Sequence, residues 1–103
     1  MKLLTKELLR QLPTYGSLTE KDPIVWAKFF YPDSSWTWYA IAYDGKDIFY
    51  GLVDGFEQEL GDFSLSELLS NRGKLGCPIE RDRWFEPCRL SELRASLPKR
   101  TFW

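Results

Sequence analysis

The chain has 103 residues, a length that allows one hydrophobic core but not two. Its 44% hydrophobic and 28% charged residues exclude both a disordered chain and a membrane span, and the net charge of −1 argues against broad, non-specific affinity for DNA. Residues 1–71 carry six basic and eleven acidic side chains, a net charge of −5, whereas residues 72–103 carry eight basic and four acidic side chains, a net charge of +4. If both parts fold together, this asymmetry produces an ordinary surface of mixed charge. We therefore expect a single α+β domain over residues 1–103.

The N-terminal leucines do not form an export signal. Lys6, Glu7 and Arg10 interrupt them, so there is no continuous apolar stretch of the kind that such signals need. This predicts a cytoplasmic protein, in which Cys77 and Cys88 are reduced thiols rather than a disulfide.

The first predicted element is a short amphipathic helix. Thr5 is a suitable N-cap, and Pro13 ends the helix because it cannot continue the hydrogen-bonding pattern. One side of this helix is apolar, formed by Leu4, Leu8, Leu9 and Leu12. Residues 14–23 are predicted to form a connecting loop.

The most distinctive stretch of the chain is residues 24–43, which predicts two aromatic strands joined by a polar turn. The first strand covers residues 24–31, with one side formed by Val25, Ala27 and Phe29. The second covers residues 36–43, with Trp36, Trp38, Ala40 and Ala42 on one face and Thr37, Tyr39, Ile41 and Tyr43 on the other.

Two further strands are predicted after this pair. Residues 44–47 are typical of a hairpin loop, since Gly45 accepts the positive φ that such loops need. Residues 48–53 form the third strand, in which Gly51 indicates a bulge or a ring lying across the backbone. Residues 58–63 are predicted to return as a short edge strand.

Ser64 and Glu67 match a capping box and predict a helix over residues 65–71. Its inward side chains are expected to be Leu65, Leu68 and Leu69. Asn71 or Gly73 is expected to end the helix in the left-handed conformation.

The last predicted elements are a strand over residues 81–85, with Trp84 or Phe85 facing the core, and a helix over residues 92–97 capped by Ser91. Strands joined by short turns pair antiparallel. The predicted fold class is therefore α+β: a two-layer arrangement of an antiparallel meander of three to five strands and three short helices.

The chain contains no histidine, which removes the usual general base near neutral pH and the commonest metal ligand. A zinc site built from cysteine alone needs more than two thiolates, and no glycine-rich phosphate loop is present. We therefore expect no metal ion and no cofactor.

A carboxylate- or thiol-dependent enzyme is the remaining catalytic hypothesis. The candidate thiol is Cys77, provided that Arg81 or Lys74 lowers its pKa. The candidate carboxylates are Asp54, Glu57, Glu59 and Asp62. A solvated turn and a charged sheet edge explain the acidic run equally well, so the sequence gives an enzyme no positive support.

The aromatic strands give the leading functional hypothesis. Three short helices cover about one sheet face, so a face with exposed indoles would form a patch that needs a partner. We expect this patch to contact a protein, and alternatively a nucleic acid with the help of Arg89 and other C-terminal arginines. The candidate binding residues are Trp26, Lys28, Trp36, Trp38, Arg81 and Arg83. The alternative is that the loops at residues 14–23 and 72–90 fold over this face and complete an ordinary core. No membrane partner is expected.

Three stretches that span most of the chain are distinctive: DPIVWAKFFYPDSSWTWYA (22–40), ELGDFSLSELLSNRG (59–73) and GCPIERDRWFEP (76–87). They resemble the bacterial family known as domain of unknown function 2958, whose members are small proteins often encoded on plasmids, conjugative elements and phage-like islands. The resemblance implies a bacterial, mobile-element setting. It implies no activity, cofactor or catalytic residue.

Overall fold

The fold is an antiparallel sheet built largely from strands that are neighbours along the chain. The computed structural model describes residues 2–73 and 75–98. Within them lie the helices α1 (Lys6–Gln11), α2 (Leu65–Ser70) and α3 (Leu90–Ser96). The strands are β1 (Ile24–Val25), β2 (Ala27–Phe30), β3 (Thr37–Tyr43), β4 (Ile48–Asp54), β5 (Gln58–Ser64), β6 (Glu80–Arg81) and β7 (Cys88–Arg89).

Five of these strands form one sheet in the order β5-β4-β3-β2-β6, and β1 pairs with β7 in a separate two-stranded sheet. Every named pair is antiparallel. The α+β fold class, the antiparallel meander and the three short helices are thereby confirmed. The predicted edge strand at residues 58–63 is β5, whereas the predicted strand at residues 81–85 is reduced to the two residues of β6.

The first predicted strand is divided at Trp26. Its N–H donates to the carbonyl oxygen of Ala40 at 2.8 Å, but the strand ladder is interrupted there. The interruption changes the alternation of side chains, so that Val25 packs with Tyr39 while Ala27 packs with Trp38 and Ala40. The expectation that Val25 lies on the same side as Ala27 and Phe29 is wrong for this reason.

A bulge in β3 changes the alternation of side chains that was predicted for the second strand. The register with β4 shifts between Ala40 and Ala42, because Ala40 pairs with Gly51 and Ala42 with Tyr50. Tyr43 consequently packs on the same face as Trp38 and stacks near Phe49, with ring centroids 4.6 Å apart. The assignment of Tyr43 to the face of Tyr39 is wrong, whereas the irregularity expected near Gly51 is confirmed.

Asp44 organises the hairpin between β3 and β4. Its Oδ1 accepts the N–H groups of Lys46 at 2.8 Å, Asp47 at 2.8 Å and Ile48 at 3.0 Å, and Gly45 has the expected positive φ of 87°. These bonds, that from Asp47 first, lower the pKa of Asp44 below its ordinary value because they favour the carboxylate.

Buried side chains form a core on each face of the five-stranded sheet. The α1/α2 core consists of Leu3, Leu8, Leu12, Ala27, Phe29, Trp38, Ala40, Tyr43, Phe49, Phe63, Leu68 and Ile79. The α3 core consists of Val25, Tyr39, Ile41, Leu52, Leu90 and Leu93. Helices therefore cover both faces, whereas the leucine pattern suggested one, because the β1–β7 pair carries α3 to the face opposite α1 and α2.

The N-caps predicted for the first two helices are confirmed at α1 and α2. Thr5 Oγ1 accepts the N–H of Leu8 at 3.1 Å, and Ser64 Oγ accepts the N–H of Glu67 at 3.1 Å. Both hydroxyls satisfy a backbone donor that the first helical turn leaves unpaired, which is the function of an N-cap.

The end of α2 differs from the prediction. Asn71 has an extended backbone (φ −76°, ψ 147°) and Gly73 has no positive φ, so neither adopts the left-handed conformation. Instead, the Nη1 atom of Arg72 donates to the carbonyl oxygens of Leu69 at 2.8 Å and Asn71 at 2.9 Å. The expected inward position of Leu69 is wrong: Leu68 is buried but Leu69 is 52% exposed, because consecutive side chains on a helix point in directions about 100° apart.

The helices α2 and α3 share a start that the sequence analysis missed. Both begin with Leu-Ser-Glu-Leu, and an aspartate from a distant turn binds the serine of each. The two carboxylate oxygens of Asp47 accept the N–H of Ser66 at 2.9 Å and its hydroxyl at 2.8 Å. Asp22 binds Ser91 in the same way, at 2.8 and 2.6 Å. The prediction that Ser91 is the N-cap of the third helix is wrong, since the helix begins at Leu90 and Asp22 supplies the carboxylate.

We expect Asp22→Asn to lower the thermal midpoint of unfolding at pH 7, and to lower it less as the solution is acidified. The hydrogen bond from the Ser91 hydroxyl, followed by that from its N–H, lowers the pKa of Asp22 in the folded protein. A lowered carboxyl pKa stabilises the fold above the unfolded-state value of about 3.9, and this contribution is lost as the pH falls through the folded pKa.

Thermal melts followed by circular dichroism across this range measure the effect, with Glu86→Gln as an exposed carboxylate control. A difference between Asp22→Asn and the native chain that stays constant with pH would contradict the assignment.

Candidate functional site

A concave surface with exposed aromatic and aliphatic side chains lies where β4 turns into β5. The turn is held by a hydrogen bond from the N–H of Gly55 to the carbonyl oxygen of Glu57 at 3.0 Å. The indole of Trp36 lies directly over Gly55, so close that a Cβ at this glycine would overlap the ring. Phe56 stands next to Trp36 in an edge-to-face arrangement, with ring centroids 5.4 Å apart and an interplanar angle of 83°.

These rings border a groove of about 590 Å³ that we call the Trp36 groove. It is lined by Trp36, Val53, Phe56, Glu57, Glu59, Leu60, Gly61 and Asp62. Phe56 is 75% exposed and Leu60 is 40% exposed, whereas Trp36 is half-buried against the α1/α2 core. The groove therefore combines an aromatic wall with an acidic rim along β5.

The acidic run that the sequence singled out is not brought together as one site. Asp54 is buried, whereas Glu57, Glu59 and Asp62 lie at the Trp36 groove. Asp62 Oδ1 accepts a short hydrogen bond from the Tyr15 hydroxyl, which raises the pKa of that tyrosine because the bond favours its protonated form. In the described part of the chain, no group of three or more carboxylates or thiols is placed to hold a metal ion.

The predicted tryptophans are distributed over several environments. Trp38 is buried at 8% exposure, with its ring 6.0 Å from that of Trp36 and 5.4 Å from that of Tyr31. Trp26 is half-buried against the α1/α2 core, and its indole Nε1 is buried without a hydrogen-bond partner among the described residues. Trp36 is thus the predicted tryptophan that lies at the open groove.

The predicted cations lie apart from the Trp36 groove. Arg81 and Arg83 line a smaller cavity of about 240 Å³ beside α1, together with Trp26. Lys28 forms an ion pair with Asp82 at 3.8 Å, and Arg89 forms one with Glu20 at 2.8 Å. Neighbouring carboxylates therefore offset part of the positive charge that the nucleic-acid hypothesis requires.

The two thiols are free and half-buried. Burial, and secondarily the charge of Glu92, raises the pKa of Cys88, which keeps this thiol protonated. The backbone of Cys77 accepts a hydrogen bond from the N–H of Gly73 at 2.9 Å. Lys74, which was considered as a neighbour that activates Cys77, lies outside the described residues.

Phe56 and Leu60 are the groove residues that the sequence analysis missed. The sequence did indicate an exposed ring at Phe56, because this residue directly follows the turn residues Asp54-Gly55 and is flanked by acidic residues. Trp84 is even more exposed, at 87%, and lies in the turn that follows β6, where Asp82 Oδ1 accepts the N–H of Trp84 at 2.9 Å. Phe85 is the aromatic residue of this segment that packs inward, against the α3 core.

Fold and site together define a small α+β protein with an antiparallel sheet, helices on both faces and an acidic, aromatic groove at one sheet edge. No helix among residues 2–73 and 75–98 has both the length and the apolar character needed to cross a bilayer.

The sequence profile of the family described as Protein of unknown function (DUF2958) matches residues 3–96. The chain belongs to this family, which confirms the resemblance of its three distinctive stretches. Searches of curated proteins and of solved structures gave no match.

Proposed function

We propose that this protein is a non-enzymatic binding module that holds a protein partner in the Trp36 groove. The observation that carries the proposal is the exposure of Phe56, a ring that is 75% accessible while standing edge-to-face against Trp36. Exposed aromatic residues around a concave apolar site are the usual anchors of protein contacts. The family resemblance adds a bacterial, mobile-element setting to the proposal, with components of the host or the element as partners. The interrupted N-terminal leucines add a cytoplasmic location.

The groove favours a protein over a nucleic acid. Glu57, Glu59 and Asp62 give its rim a negative charge that repels phosphate groups. The expected partner surface is therefore basic or neutral, with at least one apolar side chain that fills the space between Phe56 and Leu60. Binding also fits this site better than carboxylate catalysis, because Asp54 is buried apart from the groove and Asp62 is engaged by Tyr15.

Phe56→Ala is expected to weaken binding of the partner by about tenfold or more, since an aromatic anchor contributes roughly 2 kcal/mol to an interface. The matched control is Trp84→Ala, which removes another exposed ring far along the chain from the groove. Proteins captured from a bacterial lysate by the native chain are quantified against both variants, and each candidate is then purified and titrated. Equal affinities of every purified candidate for the native chain and for Phe56→Ala would refute the proposal.

A further inference from the structure

Strand β5 is an edge strand whose protection comes from carboxylates of one sign rather than from its shape, and Gln58 at its start donates to the carbonyl oxygen of Pro98 at 2.7 Å. It is the first strand in the order β5-β4-β3-β2-β6, and it pairs with β4 along all seven of its residues without a register shift. Natural proteins protect such edges with charged side chains, and they also use lysine, proline, bulges or very short strands to block pairing with strands of any charge. β5 has the sequence Gln-Glu-Leu-Gly-Asp-Phe-Ser and contains none of the latter, whereas the other edge, β6, is only two residues long.

The charge on β5 is of one sign. Glu59 and Asp62 lie on the strand and Glu57 precedes it, and Lys46, on the neighbouring hairpin, is not among the groove residues. Two copies of this edge would bring like charges together, which disfavours pairing between them. A strand that carries lysine or arginine would instead gain favourable cross-strand pairs.

The surface beside β5 has room for a large side chain. Gly61 has no atom within 4 Å of the position that a Cβ would occupy, and it lies in the groove near Val53 and Trp36. A glycine on an edge strand leaves a gap that an aromatic side chain from a neighbouring strand can cover. The exposed ring of Phe56 also lines this groove.

We propose that β5 accepts a basic, extended segment of a partner protein as an additional strand, with a large apolar side chain of that segment lying over Gly61. Alternate residues of an antiparallel edge strand direct their N–H and C=O groups outward, so main-chain hydrogen bonds supply affinity along β5. Lysine or arginine residues of the segment pair with Glu57 and Glu59, and the groove selects the apolar residue. This inference rests on the proposed function and adds the conformation and charge of the partner segment.

The first experiment is a selection of random twelve-residue peptides displayed on phage against the full chain, in parallel with the charge-reversed variant Glu57→Lys/Glu59→Lys. We expect the native chain to enrich peptides with lysine or arginine around an aromatic or large aliphatic residue, and the variant not to enrich them. Enrichment without a basic preference, or the same peptides on both proteins, would overturn the proposal.

The second experiment scans the best selected peptide with single N-methyl groups, which remove one backbone donor at a time. A peptide bound as a strand should lose tenfold or more in affinity at every second residue and little at the residues between. A small and uniform loss along the peptide would overturn strand addition, while the proposed function would stand as long as Phe56→Ala still weakens binding by about tenfold or more. If neither Phe56→Ala nor charge reversal changes the affinity, both proposals fail.

Two other occupants of the edge are separated by simple controls. If the native chain sediments as a dimer and Glu57→Lys/Glu59→Lys changes the dimer fraction, the occupant is a second copy of this chain. Peptide binding that appears only after deletion of residues 99–103 would identify this chain's own segment as the occupant. Either result would overturn the proposal of a partner segment.

Discussion

Gly51→Ala is expected to destabilise the protein by about 3 kcal/mol or more, the upper range for an overpacked position. Gly51 lies opposite Ala40 at the point where the register of β3 shifts. A Cβ at this position would overlap the carbonyl oxygen of Tyr39, and would lie 2.9 Å from the Tyr39 carbonyl carbon and 3.2 Å from the Ala40 Cα. These are backbone atoms of the adjacent strand, so no rotamer change relieves the overlap and the central β3–β4 pair has to separate.

Urea denaturation followed by tryptophan fluorescence measures this loss, and failure of Gly51→Ala to fold is the extreme form of the expected result. Gly61→Ala is the matched control, because Gly61 faces Gly51 across the β4–β5 pair but has no atom within 4 Å of the position that a Cβ would occupy. Its free energy of unfolding should be unchanged or raised by up to about 1 kcal/mol. Equal midpoints for Gly51→Ala and the native chain would show that the two strands are not as close as described.

Phe49→Ala is expected to cost about 3 to 5 kcal/mol, the usual range for removing a fully buried ring. Phe49 has no exposed surface, and its ring lies 5.5 Å from that of Phe29, 4.6 Å from that of Tyr43 and 5.2 Å from that of Phe63. Because domains of this size are stable by only about 5 to 15 kcal/mol, this one substitution removes a large part of the total.

Phe56→Ala is the control for Phe49→Ala, since it deletes the same side chain from the surface. Its effect on stability should stay within about 0.5 kcal/mol, as expected for an exposed position. This result also matters for the binding experiments, because it ensures that a loss of partner in Phe56→Ala is not a loss of fold. A similar cost for both substitutions would contradict the position of Phe49 in the α1/α2 core.

Local features were predictable from the sequence because their physical causes lie within a few residues. Thr5 and Ser64 cap helices through donors three residues away, and Gly45 takes its positive φ inside a four-residue loop. The periodicities of leucine and of the aromatic residues located the helices and the meander, since side-chain direction repeats with the backbone geometry.

The exposed part of the candidate site was less predictable. Because Trp26, Trp36 and Trp38 are the same residue type, only their packing in the fold decides which ring stays accessible. Ile79 reaches the α1/α2 core from the connection after α2, and Phe85 reaches the α3 core from the turn after β6. These contacts cover area that the sequence left open, whereas Phe56 stays exposed at the Trp36 groove.

The sequence by itself determined the α+β class and the antiparallel order of the central strands, because these follow from local periodicity and short connections. It also determined the family of this protein, through the resemblance of the stretches at residues 22–40, 59–73 and 76–87 to that family. The tertiary structure decided which face each side chain occupies, through the break at Trp26 and the bulge after Ala40. It also decided that Asp22 and Asp47 stabilise helices 69 and 19 residues away, and that α3 covers the second face of the sheet. Such pairings depend on the position of distant backbone segments, which no local pattern of residues specifies.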